Sequence, residues 1–162
     1  MPALATADAG LRALDAGDLE RVIEIDRTPG GRTRRRFFEK RFAAAAAHPE
    51  DFMHLGVMRG GALRGFAFAR LLRGEFGREH VSAMLDVIGV EAQSRGTGIG
   101  RSLLQELVTR LRAAGARTLH SQTEWSEPEL TRFFAATGFK MAPRIALERS
   151  LATPLVEQVE EV

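Results

Sequence analysis

A chain of 162 residues and 17.8 kDa, 44% hydrophobic and 27% charged, has the size and make-up of one globular domain, which excludes a mainly disordered protein. It has no cysteine and no tyrosine, so disulfide frameworks, thiolate metal sites and cysteine nucleophiles are excluded; no apolar run reaches the length of a membrane span, and the opening MPALATADAG lacks a signal-peptide pattern. The net charge is only +2, so the pI of 9.9 reflects a small cationic excess with little to titrate between histidine and lysine, which is weak support for a nucleic-acid partner. The expectation is a cytoplasmic protein with no membrane partner.

The first predicted element is a helix over 18–26, with Leu19, Val22, Ile23 and Asp26 on one face and Asp18 placed to cap it. A Pro29-Gly30-Gly31 loop separates it from a second helix over about 33–47, where Phe38 and Phe42 lie one turn apart. Arg32, Arg34, Arg35, Arg36, Lys40 and Arg41 spread around the polar side of that helix, either as a solvated face or as a patch that attracts anions.

The period then changes. Met53, Leu55 and Val57 alternate as in a strand, Gly60-Gly61 is a hairpin signal, and 63–72 reads as the returning strand. The nearly unbroken apolar run over 81–90 suggests a central strand buried on both faces. After the loop Arg95-Gly96-Thr97-Gly98-Ile99-Gly100 comes an amphipathic helix with Ile99, Leu103, Leu107 and Leu111 on one stripe, stopped by Gly115. A strand over 117–123, a helix opened by Pro128 and ended by Gly138, and a last alternating strand over 145–151 complete the order. A strand-helix-strand crossover after antiparallel strands implies a mixed sheet, hence an α/β domain.

A glycine-rich turn between a buried strand and a helix is either a phosphate cradle, built from backbone N–H groups and a helix N-terminus, or a tight turn needing glycine for backbone reasons alone. The P-loop pattern fails, because Gly100-Arg101-Ser102 lacks the lysine; the dinucleotide fingerprint fails, because Arg101 replaces its third glycine. The run from Val90 to Gly100, with Arg95, Gly98 and Gly100 on the Gln/Arg-x-x-Gly-x-Gly/Ala pattern, resembles the acyl-CoA loop of GNAT-superfamily N-acetyltransferases. Phe133-Phe134-Ala135-Ala136-Thr137-Gly138-Phe139 is similar to that family's late Phe-Tyr-x-x-x-Gly-Phe segment, residues 11–26 to its opening strand and helix, and 145–151 to its last strand.

The resemblance implies a single domain over 1–151 with an acidic tail over 152–162, and a mixed sheet of about six or seven strands flanked by about four helices. It implies acetyl-CoA as cofactor and an amine-bearing acceptor as partner; a homodimer is common among such proteins. The pyrophosphate would lie over Arg95, Gly96, Thr97, Gly98, Ile99 and Gly100, with Arg101 and Ser102 at its edge. The pantetheine arm would lie between two splayed strands, here over 84–90 and 118–123, with N–H groups near Ile88, Gly89 and Val90 polarising the acyl carbonyl. The polar run His120-Ser121-Gln122-Thr123-Glu124 suits a strand lining a wet cleft, or one near an edge.

The family's late-helix tyrosine, an acid beside the thiol, is Phe134 here, and no other tyrosine replaces it. That departure leaves a non-catalytic acyl-CoA-binding domain as the alternative to an enzyme. Candidate bases are Glu124, at the end of the polar strand, then Asp86, a charge inside an apolar strand in phase with Ile88 and Val90, and His120. Trp125 either walls an acceptor pocket or belongs to the core.

Overall fold

A computed structural model describes residues 10–27, 29–77 and 79–152. They form two compact units, divided after Trp125. The first unit holds strands β1 (Gly10–Ala13), β2 (Phe52–Arg59), β3 (Ala62–Arg73), β4 (Val81–Val90) and β5 (Leu119–Ser121), and helices α1 (Leu19–Asp26), α2 (Arg35–Ala47) and α3 (Ile99–Ala113). The strands make one sheet in chain order, antiparallel from β1 to β4 and parallel between β4 and β5, across which α3 is the crossover.

Helices α1 and α2 cover one face. Val22, Ile23, Phe38 and Phe42 are buried there with Phe66 and Phe68 of β3 and Val87 of β4. Phe38 stands edge-on to both Phe66 and Phe68, with ring centres 5.6 and 5.5 Å away, the arrangement the aromatic quadrupole favours. Helix α3 buries Ile99, Leu103, Leu104, Leu107 and Leu111 on the stripe its periodicity predicts. Its first turn sits close to β3 because Gly65 has no side chain; a Cβ there would lie 2.7 Å from Ile99 and 3.2 Å from Leu103.

Two β-bulges break the ladder. In the second, Phe68 faces Val87 and Ala69 faces Leu85, so Asp86 is the extra residue of β4. Asp86 and Val87 therefore turn to the face covered by α1 and α2, while Ile88, paired with Ala67, turns to the other. The expected phase of Asp86 with Ile88 and Val90 is corrected by this bulge. Asp18 also departs from expectation: its side chain holds Arg12 (2.6 Å) and accepts from the Asp15 N–H (3.1 Å) instead of capping α1.

The second unit contains α4 (Pro128–Ala136), opened by Pro128 and ended by Gly138 at φ 91°. The Phe139 N–H closes onto the Phe134 carbonyl at 3.0 Å, and the two rings lie 4.8 Å apart. The strand expected over 145–151 is absent. Ile145, Leu147 and Leu151 are exposed, and no described backbone pairs with theirs. Alternation permits a strand, but only a partner's N–H and C=O groups make one. The sheet accordingly has five strands among the described residues, not six or seven, and β5 is shorter than the expected 117–123. Most of the proposed acidic tail lies outside the described residues.

His54 of β2 is an unexpected core residue. It is 5% exposed, stacked on Phe68 at 3.9 Å and edge-on to Phe42, and neither ring nitrogen has a hydrogen-bond partner. Burial, with Arg41 nearby, lowers its pKa to about 4. The unfolded chain therefore binds a proton between pH 6.5 and about 4 that the folded chain refuses, so stability falls as pH drops through that window, by roughly 3 kcal/mol at ~1.4 kcal/mol per pKa unit. His54→Phe is expected to remove this loss: its melting temperature should gain on wild type steadily from pH 7 to pH 4, and parallel curves would refute the assignment.

Candidate active site

The loop between β4 and α3 is held open by its backbone. Gly98 precedes the helix at φ 86°, a conformation that side chains other than glycine rarely adopt, and no side chain caps the N-terminus. The Ser102 N–H is the first to find a helical acceptor, the Gly98 carbonyl at 3.0 Å. The N–H groups of Gly96, Thr97, Gly98, Ile99, Gly100 and Arg101 have no acceptor among the described residues. Several free donors, three of them on the first turn of a long helix, fit a pyrophosphate. Arg101 is exposed beside them and Ser102 half-buried. Arg95 is exposed and folds back, its Nε donating to the Val90 carbonyl at 3.3 Å.

The loop's approach is fixed by Glu91, which sequence reasoning passed over. Its carboxylate accepts from Arg21 of α1, from Arg64 of β3 at 2.8 Å and from Ser94 at 3.1 Å. Arg21 also donates to the Leu63 carbonyl at 3.1 Å, and Thr97 donates to the Ser94 carbonyl at 2.5 Å. Hydrogen bonds from Arg21 and Arg64 hold the Glu91 carboxyl at a pKa of about 2. The signal available in sequence was a lone carboxylate following the apolar run, but its arginine partners lie 70 and 27 residues away.

Strand β5 pairs with β4 only at Ala83, Met84 and Leu85. Among the described residues, β4 has no paired strand on that side from Asp86 onward. The Glu91 N–H points to β3, where it meets the Arg64 carbonyl at 2.8 Å. By alternation the Gly89 N–H also points to β3, while those of Ile88 and Val90 point away from it, to the side where β5 has ended. Two free donors on an open strand edge, followed directly by the loop, are what an extended, amide-bearing ligand arm needs. Gly89 packs tightly at this point; a Cβ would lie 2.8 Å from the Phe66 ring.

The two candidate bases stand in different settings. Asp86 is nearly buried, with Arg70 Nε at 3.1 Å from Oδ1 and Arg41 Nε at 3.0 Å from Oδ2. Glu124 is exposed, three residues beyond the end of β5, with no ion pair among the described residues. His120 lies 3.2 Å from the Thr118 hydroxyl. Trp125 is 96% exposed and is not a core residue. Phe134 is buried in α4 with its ring against Phe133 and Phe139, and has no hydroxyl to donate.

The Acetyltransferase (GNAT) family model matches residues 19–139. The chain therefore belongs to the GNAT acetyltransferase family, a family of acyltransferases whose acyl donor is acetyl-CoA. No curated protein sequence matches it. Among solved structures it is similar to a transcriptional regulator from Bacillus halodurans C-125 (18% identity, TM-score 0.74, covering 88% of this chain and 99% of that one). It is also similar to an aminoglycoside N-acetyltransferase in complex with CoA (18% identity, TM-score 0.71, 93% and 99% covered). A third is an aminoglycoside acetyltransferase from an uncultured soil metagenomic sample in complex with sisomicin (13% identity, TM-score 0.66, 88% and 95% covered). At these identities the likeness is one of fold. Among the described residues, no helix is long and apolar enough to cross a membrane.

The low pKa of Glu91 sets a second, more acidic stability window. A carboxyl depressed on folding contributes stability that is complete above about pH 4.5 and lost as pH falls toward 2. Glu91→Gln should be less stable than wild type at neutral pH, and the gap should close between pH 4.5 and 2 in acid-unfolding curves. A gap independent of pH there would contradict the network.

Proposed function

We propose that this chain is an acetyl-CoA-dependent N-acetyltransferase that moves an acetyl group to an amine by direct attack in a ternary complex. The reading is carried by one observation: the free N–H groups of Ile88 and Val90 run straight into the free donors of residues 96–101. The first pair suits an amide-bearing arm and its reacting carbonyl, the second a pyrophosphate. The chemistry that acetyl-CoA supplies when bound is a thioester open to attack by a neutral amine.

The chain's own contribution is mainly positioning, which lowers the barrier by holding donor and acceptor together. Residues Gly96 to Arg101 anchor the phosphates, and the edge of β4 orients the arm. Glu124 receives the ammonium proton of the acceptor, directly or through water; its exposed carboxylate has no ion-pair partner among the described residues, whereas Asp86 is engaged by two cations. Phe134 has no proton to give, so protonation of the departing thiol falls to water.

Thermal shift and thiol release test this. Gly98→Glu places a side chain at φ 86° and a carboxylate among the phosphate donors, and should abolish the stabilisation by acetyl-CoA expected of wild type. Glu124→Gln should keep that stabilisation but lower kcat by roughly 100-fold across an amine panel. Equal coenzyme stabilisation of wild type and Gly98→Glu would refute the site. Coenzyme binding with no thiol release on any amine would leave an acyl-CoA-binding domain instead.

A further inference from the structure

The bulge that frees the β4 edge also places Asp86 between two arginines, and the way it holds them is specific. Arg70 Nε donates to Oδ1 at 3.1 Å, whereas Arg41 Nε stands 3.0 Å from Oδ2 as an ion pair without hydrogen-bond geometry. No described residue accepts from the terminal Nη groups of either side chain. Arg41 Nε and Asp86 Oδ2 are both buried without a hydrogen-bond partner, while no Nη group of either guanidinium is among the buried unpartnered atoms. Arg41 is further fixed by Phe37, whose ring centre lies 5.1 Å from its guanidinium carbon. A nearly buried carboxylate thus orients the Arg70 fork by a hydrogen bond and holds the Arg41 fork by charge, and the Nη donors of both are left unused. His54, whose ring feels the Arg41 charge, is buried and neutral at pH 7, so it adds no third cation, and two cations face one carboxylate.

The surrounding charge has the same sign. Residues 19–48, which contain α1 and α2, carry eight Arg and Lys against four Asp and Glu. Arg34 and Arg35 are paired with Asp26 and Glu20, but Arg32, Arg36 and Lys40 have no carboxylate within ion-pair distance among the described residues. A surface of this sign draws anions and repels polycations.

We infer that the acceptor is an amine that also carries a carboxylate, and that Arg41 and Arg70, oriented by Asp86, clamp that carboxylate beside the open edge of β4. Guanidinium forks match a carboxylate two donors at a time, which supplies orientation as well as affinity. The clamp begins where pairing between β4 and β5 ends, two residues before Ile88, or about 7 Å along a strand. An amino-acid-like or acidic-peptide amine can therefore set its carboxylate in the clamp and its nitrogen at the reacting carbonyl. Asp86 is then a positioning residue and not the base. Polycationic aminoglycosides, the ligand class of two structural neighbours, are disfavoured. The inference rests on the acetyltransferase reading of this site.

The test compares matched amines: amino acids, the same amino acids as carboxamides, and the polycation kanamycin. Thiol release is read by kcat and KM, and binding to the CoA-saturated protein by calorimetry. The carboxylates should exceed their carboxamides by about tenfold or more in kcat/KM, through KM, and in affinity. Arg70→Met should bring that ratio near one without changing KM for acetyl-CoA, and Arg70→Lys, which keeps the charge but not the fork, should restore it only in part. Asp86→Asn, if folded, should also lose the ratio. Equal use of carboxylate and carboxamide, preference for kanamycin, or an unchanged ratio in Arg70→Met would overturn the clamp. So would CoA binding without calorimetric binding of any carboxylate. Failure to bind CoA at all would overturn the acetyltransferase reading itself.

Discussion

A single extra residue in β4 organises the candidate site. Without the bulge at Asp86, β4 would continue in phase, and the N–H groups of Ile88 and Val90 would be directed toward β3 and used in the ladder. With it, those donors face the side that β5 has vacated, and the carboxylate of Asp86 swings to the face of α1 and α2. A nearly buried charge is tolerated there because two guanidiniums meet it, although a buried ion pair is weak support for stability and stronger support for a geometry that must be held.

The rest of the site is built to present that edge. Gly65 lets the first turn of α3 settle on β3 opposite Val90, so the unpaired N–H groups of the helix start where the strand ends. Glu91, pinned by Arg21 and Arg64, ties the loop entry to α1 and to β3, so the loop cannot drift independently of the sheet. The aromatic cluster of Phe38, Phe66 and Phe68 packs α2 onto β3, and Phe37 of the same helix lies under the Arg41 guanidinium.

Local signals carried the sequence reading far. The apolar run of β4, the Gly96–Gly100 turn and the leucine stripe of α3 depend on neighbours within a few residues, and each falls where the sequence places it. Long-range pairing was not legible. Nothing in the run over 81–90 marks Asp86 as a bulge rather than an in-phase residue, since that depends on the register with β3. His54 reads as the polar half of an alternating strand but is buried under Phe42 and Phe68. The alternation of Ile145, Leu147 and Leu151 suggests a strand although no described backbone pairs with it. Asp18 looks like a helix cap and instead binds Arg12.

Hydrogen exchange resolved to single amides, with and without CoA, tests the central claim most directly. Adding CoA should slow exchange at the N–H groups of Ile88 and Val90 and across Gly96 to Arg101, with Gly89 and Glu91, whose donors point to β3, little changed. Slowing confined to other segments, or none at millimolar CoA, would contradict that claim.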